Sequence, residues 1–234
     1  MISQYSTPEE IVHEFWEDQP RAKFWLHKNI SARSSLAKIM NDGGWDVMDM
    51  KTKVNLSEPI FYESPKTGNK WMVYLSNRND EGFHMYVRTI LYSMTAQYMT
   101  IMIPVTTFRH DSDGNVVGEM NGINVYTSHV FQRMHQRAGV NMSDRINIIR
   151  NFTEYVATGW SDVRPPREGE EYNQILLRTP ASWIRGHTID VGDSFVNIYR
   201  TFWTDMSMTP SQLKDVRTFK KFADKQASNS KLRY

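Results

Sequence analysis

The chain has 234 residues, 40% apolar and 23% charged, which suits one large domain or a domain with an appended subdomain around a real core. It contains no cysteine, and this excludes disulfides, cysteine-ligated zinc, cysteine-ligated iron–sulfur clusters and thiol catalysis. The net charge of +2 is unevenly spread: residues 209–234 carry seven basic residues against Asp215 and Asp224, a +5 end on a −3 body, which suits polyanions or simply a solvated helix face.

The first 42 residues read as helical. Ser6 and Thr7 precede Pro8, with Glu9 and Glu10 three residues after each, a capping-box start, and Ile11, Val12, Phe15 and Trp16 fall on one side. Leu36, Ile39 and Met40 form a further short helical piece, stopped by Gly43-Gly44. From Trp45 the character changes to strands. Residues 59–63 and 70–76 flank Pro65-Lys66-Thr67-Gly68-Asn69, a hairpin turn. Residues 84–92 and 98–109 read as strands, although 91–99 could form a helical turn. Asp111-Ser112-Asp113-Gly114-Asn115 is a tight turn, followed by short strands at 116–120 and 123–126. Two helices come next: residues 128–138, ended by Gly139, and a longer one capped by Ser143, with Ile146, Ile149, Phe152 and Val156 on one side, ending near Gly159.

Residues 162–171 hold Pro165, Pro166 and six charged side chains and read as a loop, the best candidate for disorder. Strands follow at 174–178, 181–188 and 194–203. Thr209-Pro210-Ser211-Gln212 starts a last helix with Leu213, Val216, Phe219 and Phe222 inward. The expected fold is α+β: a helical region over 1–44, an α+β domain over 45–226 with a mostly antiparallel twisted sheet, two mid-chain helices and a closing helix, and a flexible basic tail over 227–234. The N-terminus lacks a basic segment followed by an apolar stretch, and no window reaches about 18 apolar residues, so neither a secretion signal nor a membrane span is expected. The expected location is the cytoplasm, of a cell or of an infected host.

One segment concentrates chemistry. His129, Arg133 and Arg137 recur every four residues, so on a helix they share one polar stripe while Val130, Phe131 and Met134 lie opposite. No acid lies on the stripe. An imidazole beside two guanidiniums near a helix N-terminus suits anion binding and phosphodiester chemistry, in which a histidine moves a proton and arginines hold the phosphate. An exposed helix with solvated arginines has the same spacing. Zinc from His129, His135 and His187 is a weaker alternative, and no cofactor is expected. The chain has no P-loop, dinucleotide fingerprint or nucleophile elbow.

The run His129-x3-Arg133-x3-Arg137 between a strand and a glycine resembles the helix of small toxin nucleases related to BrnT and, more distantly, the RelE and barnase-like ribonucleases. The likeness spans residues 120–212. It implies a helix before an antiparallel sheet, with catalytic or phosphate-binding residues from both, and residues 194–212 resemble the group's final strand. It implies a metal-independent endoribonuclease in which His129 is general acid or base, His187 or Tyr199 is the second proton-transfer group, and Arg133, Arg137 and Arg185 or Arg200 hold phosphate. Strand alternation lets Tyr199 with Thr201, or Arg200 alone, face the helix stripe, and puts Arg185 and His187 on one face. A second expectation is a non-catalytic interaction or assembly protein, for example a phage structural or accessory component. Fourteen methionines and abundant aromatics suit its adaptable surfaces. RNA, a protein partner and self-assembly are the expected partners; a membrane is not. Salt-sensitive nucleic-acid binding through the C-terminal helix is a third.

Overall fold

The computed structural model describes residues 1–3, 5–31, 59–78, 84–110, 116–157, 159–179, 181–204, 206 and 208–231. The expected helical piece at Leu36, Ile39 and Met40 and the turn at 111–115 lie outside them. Helix α1 (Pro8–Ser31) begins at a capping box. The Glu10 amide donates to Thr7 Oγ1 at 3.2 Å and the Thr7 amide to Glu10 Oε2 at 2.9 Å, so Thr7 and Glu10 are the reciprocal pair.

The chain divides into two compact units, Met1–Ser3 with His13–Ser93, and Gln4–Val12 with Met94–Tyr234. In the first unit β1 (Ile60–Glu63), β2 (Lys70–Arg78) and β3 (His84–Met94) are antiparallel, with Tyr62 opposite Trp71 and Trp71 opposite Leu91. Phe15 of α1 packs on Trp71 at 5.0 Å between ring centres. One helical turn on, buried Asp18 accepts from Ser64 Oγ at 2.9 Å, from Asn69 Nδ2 at 2.8 Å and from the Thr67 hydroxyl. Burial pushes its carboxyl pKa up, but these hydrogen bonds outweigh it and hold the pKa below the usual carboxylate range. The carboxylate thereby fastens the β1–β2 turn to the helix.

In the second unit β4 (Met99–His110), β5 (Val116–Tyr126), β6 (Trp160–Arg164), β7 (Asn173–Thr179), β8 (Ser182–Val191) and β9 (Ser194–Thr204) run in the order β4-β5-β9-β8-β7-β6. All neighbours are antiparallel except β5 and β9, because the crossover between them returns the chain in the same direction. β5 is one strand and not two short ones: Gly122 stays paired to Val105 on one side and Phe195 on the other. Helices α2 (Ser128–Ala138) and α3 (Arg145–Ala157) occupy the crossover. Asp144, not Ser143, caps α3, its Oδ1 accepting from the Asn147 amide at 3.2 Å. Phe131 of α2 meets Phe152 of α3 at 4.9 Å, and Phe152 meets Tyr126, itself stacked on Tyr199 at 4.7 Å.

Helix α4 (Pro210–Lys231) covers a second cluster, where Phe219 packs with Leu176 and Trp203. Its start is the expected box, with the Thr209 amide on Gln212 Oε1 at 2.8 Å and the Gln212 amide on Thr209 Oγ1 at 3.3 Å. Leu213 is not inward but 40% exposed, because the apolar stripe of α4 runs through Val216 and Phe219. The helix continues to Lys231, so residues 227–231 are helical.

A bulge in β9 separates the two clusters. Gly186 pairs with Tyr199 while Arg185 pairs with Thr201, leaving Arg200 as the extra residue. The parity of side chains therefore inverts between Tyr199 and Trp203, which an unbroken strand would place on one face. Tyr199 turns to Tyr126 and Phe152; Trp203 turns to α4. The segment after β6 is ordered, contrary to the disorder expected of it. Arg164, 3% exposed, donates two parallel bonds to Glu170 at 2.6 and 2.8 Å, and Arg164 and Arg185 both reach Asp215 of α4, at 3.6 and 3.0 Å. The class is α+β with a mostly antiparallel sheet, as the sequence implies.

Candidate functional site

β5 delivers α2 to the edge of β9. Where β5 stops, the Thr127 amide and hydroxyl both donate to the Tyr199 carbonyl, at 3.2 and 3.0 Å. The N-cap hydroxyl is thus spent on the sheet and makes no cap bond to α2, and no acid occupies the first turn. The positive end of the helix dipole is left unneutralised by its own side chains. At the other end Gly139, at φ 65, closes the helix on the His135 carbonyl.

The expected stripe exists on α2. Exposed His129 accepts at Nε2 from Arg133 Nε at 3.3 Å, and its Nδ1 lies 2.9 Å from Gln132 Oε1. A guanidinium only donates, so in the neutral ring these two bonds assign the proton to Nδ1 and leave the lone pair on Nε2. Arg133 also donates to Gln136 Oε1 at 2.9 Å. No carboxylate pairs with Arg133 or Arg137 among the described residues. Arg137 is half-buried and donates to the Phe202 carbonyl at 2.5 Å; burial, then the charge of Arg133, lowers its pKa. It therefore anchors α2 to β9, and His129 with Arg133 is the part of the stripe that meets solvent.

The sheet residues expected to complete that site are elsewhere or otherwise engaged. Tyr199 is 1% exposed and lies in the core, where burial, with Tyr126 alongside, raises its phenol pKa well above the usual value. Arg185 and His187 do share a face of β8, but Arg185 is bound to Asp215 of α4 and to Glu170, on the side of the sheet opposite Tyr199. His187 thus faces away from the cluster that seats α2. The expected alternation also fails at Thr201: the bulge puts Arg200 and Thr201 on one face, that of Arg185 and His187.

What the structure assembles instead is a second polar cluster. The His187 ring stacks on Tyr172 at 5.3 Å and 22°. Burial, and then the nearby Arg200 charge, lower the His187 pKa to about 4, so the ring is neutral at physiological pH. Gln174 donates to the Tyr172 carbonyl at 2.9 Å and accepts from Arg185 at 3.3 Å, tying this cluster to the ionic network under α4. Arg200 is exposed, with no carboxylate partner among the described residues. Tyr172 and Glu171 were invisible as site residues in the sequence, where they border the segment expected to be disordered.

No group of three histidine, aspartate or glutamate side chains among the described residues converges as a metal site. No helix among them is long and apolar enough to cross a membrane. No protein-family model, curated protein or solved structure matches the chain.

Proposed function

We propose that the protein is an endoribonuclease-like RNA-binding protein whose phosphate-contacting face is the His129–Arg133 side of α2. The observation that supports this reading most is the direct bond between an exposed imidazole and a guanidinium with no carboxylate paired to them among the described residues, at the uncapped start of a helix. Arg133 would turn its Nε from His129 to a phosphate oxygen, freeing Nε2 to accept the proton of an RNA 2′-hydroxyl, the internal nucleophile that makes a metal unnecessary; the 2′-oxygen would bond to phosphorus as the 5′-oxygen leaves and takes a proton from water.

The test is cleavage and binding of single-stranded RNA. The expected result is that His129→Ala slows cleavage by about 10²–10⁴-fold, the usual worth of a positioned acid or base, while binding changes little. Arg133→Ala is expected to weaken binding across sequences and reduce the salt slope by about 1. Unchanged cleavage by His129→Ala rejects the catalytic role.

The second reading is a non-catalytic interaction protein. It is favoured by the absence of a second proton carrier on the His129 face among the described residues, since Tyr199 is core and His187 points to the other side. RNA binding by the wild-type protein without any cleavage would select it.

A further inference from the structure

The bulge in β9 has a local cost, and its effects reach beyond the two clusters it separates. A Cβ on Gly186 would lie 2.2 Å from the Ile198 carbonyl oxygen and 2.9 Å from Tyr199 Cα, so the distortion demands glycine at this position. Its consequence is the placement of Arg200. The extra residue brings a guanidinium onto the face of His187, beside the Tyr172 ring, and bulges re-aim side chains in this way next to functional sites. The Tyr172 ring is 37% exposed and backed by the neutral imidazole of His187. Its backbone is held by Gln174, which Arg185 holds in turn, and Arg185 is fixed by Glu170 and Asp215. An aromatic face on a rigid mount, with a cation at its rim, is complementary to a flat ring that carries an anion.

We propose that Tyr172, His187 and Arg200 form a nucleotide-binding platform, with the base stacked on Tyr172 and the phosphate on Arg200. Glu171 accepts a hydrogen bond from the Tyr172 hydroxyl, and its charge reaches His187. The ligand chemistry is shared by a free mononucleotide and by one residue of a single-stranded RNA. Only the RNA source rests on the function proposed above, and it makes the platform a contact separate from α2.

The test is an NMR titration of the full chain, following the His187 ring protons. The probes are AMP, adenosine, inorganic phosphate and a short oligoadenylate. AMP is expected to shift the His187 resonances saturably, with adenosine and phosphate each binding at least about tenfold more weakly. Tyr172→Leu is expected to weaken AMP binding by about tenfold, the scale of one base–aromatic stack. Arg200→Gln is expected to bring AMP down to the level of adenosine. A stronger response to oligoadenylate than to AMP, abolished by Tyr172→Leu and kept by Arg133→Ala, assigns the platform to RNA while rejecting α2 as the RNA contact. Loss of oligoadenylate binding in Arg133→Ala with AMP binding intact keeps the platform as a site for the free nucleotide. No His187 shift with AMP, or the same shift in Tyr172→Leu, overturns the proposal.

Discussion

Two glycines of the second unit sit under tight approaches of different kinds, and the difference sets what a methyl group would do at each. A Cβ on Gly122 would meet the Phe195 ring at 2.4 Å, whereas on Gly186 it would meet the Ile198 carbonyl at 2.2 Å. A phenyl ring can swing away at the expense of its packing. A carbonyl locked in the β8–β9 ladder cannot move without breaking strand pairing. Gly122→Ala is therefore expected to cost about 1–3 kcal/mol, the usual range of overpacking, and Gly186→Ala more. Urea unfolding of the two variants checks the order, and equal losses would show that the bulge is softer than its contacts imply. Neither glycine stood out in the sequence, since nothing in a single Gly-His or Asn-Gly step tells which backbone will pass 2 Å away.

The element most misread from sequence is the segment after β6. Taken from Asp162, so with the end of β6, it holds two prolines and six charges, the composition of a disordered loop, yet those charges order it. Arg164 and Glu170 pair across a six-residue turn, and Asp215, fifty-one positions beyond Arg164, joins Arg164 and Arg185 from α4. Phe219 completes the arrangement with the Arg164 guanidinium 5.0 Å from its ring centre. Charge pairing at that separation has no local signature, whereas the α4 capping box does, which is why the start of the helix was legible and its docking was not. Removing Asp215 leaves buried Arg164 to Glu170 alone and takes one of two carboxylates from the partly exposed Arg185, so Asp215→Ala is expected to cost about 1–3 kcal/mol. Replacing Arg164 by methionine together with Glu170→Gln and Asp215→Asn is expected to recover part of that loss, because apolar packing on Phe219 substitutes for the desolvated charges. Thermal unfolding of the single and combined variants decides it; additive losses would mean that the charges act independently.

At the scale of the whole molecule, helices and strands with strong periodicity were readable, and so was the His129–Arg133 stripe, because helical spacing depends only on the residues within it. The sheet half of the site was not. Which face Arg200, Thr201, His187 and Tyr199 take depends on a one-residue bulge, and one slip in strand parity exchanges core for surface. That slip gives the acid stability of the protein its form. Two groups have strongly depressed pKa values: His187 at about 4, through burial and then Arg200, and Glu170 at about 2, chiefly through the hydrogen bond from Arg164. In the unfolded chain these groups titrate near their ordinary values of 6.5 and 4.5. In both windows the unfolded state binds more protons, so folding stability rises with pH there. The His187 contribution is complete above pH 6.5 and is lost as the pH falls toward about 4; the Glu170 contribution is complete above 4.5 and is lost toward about 2. Urea midpoints measured across acid pH should therefore fall in two successive limbs. His187→Gln should flatten the upper limb and leave the lower, and Glu170→Gln should flatten the lower and leave the upper, while lowering stability at neutral pH through loss of the Arg164 pair. An upper limb that persists in His187→Gln would mean that the imidazole is solvated, and the Tyr172 stack would then lack the neutral, buried backing its geometry requires.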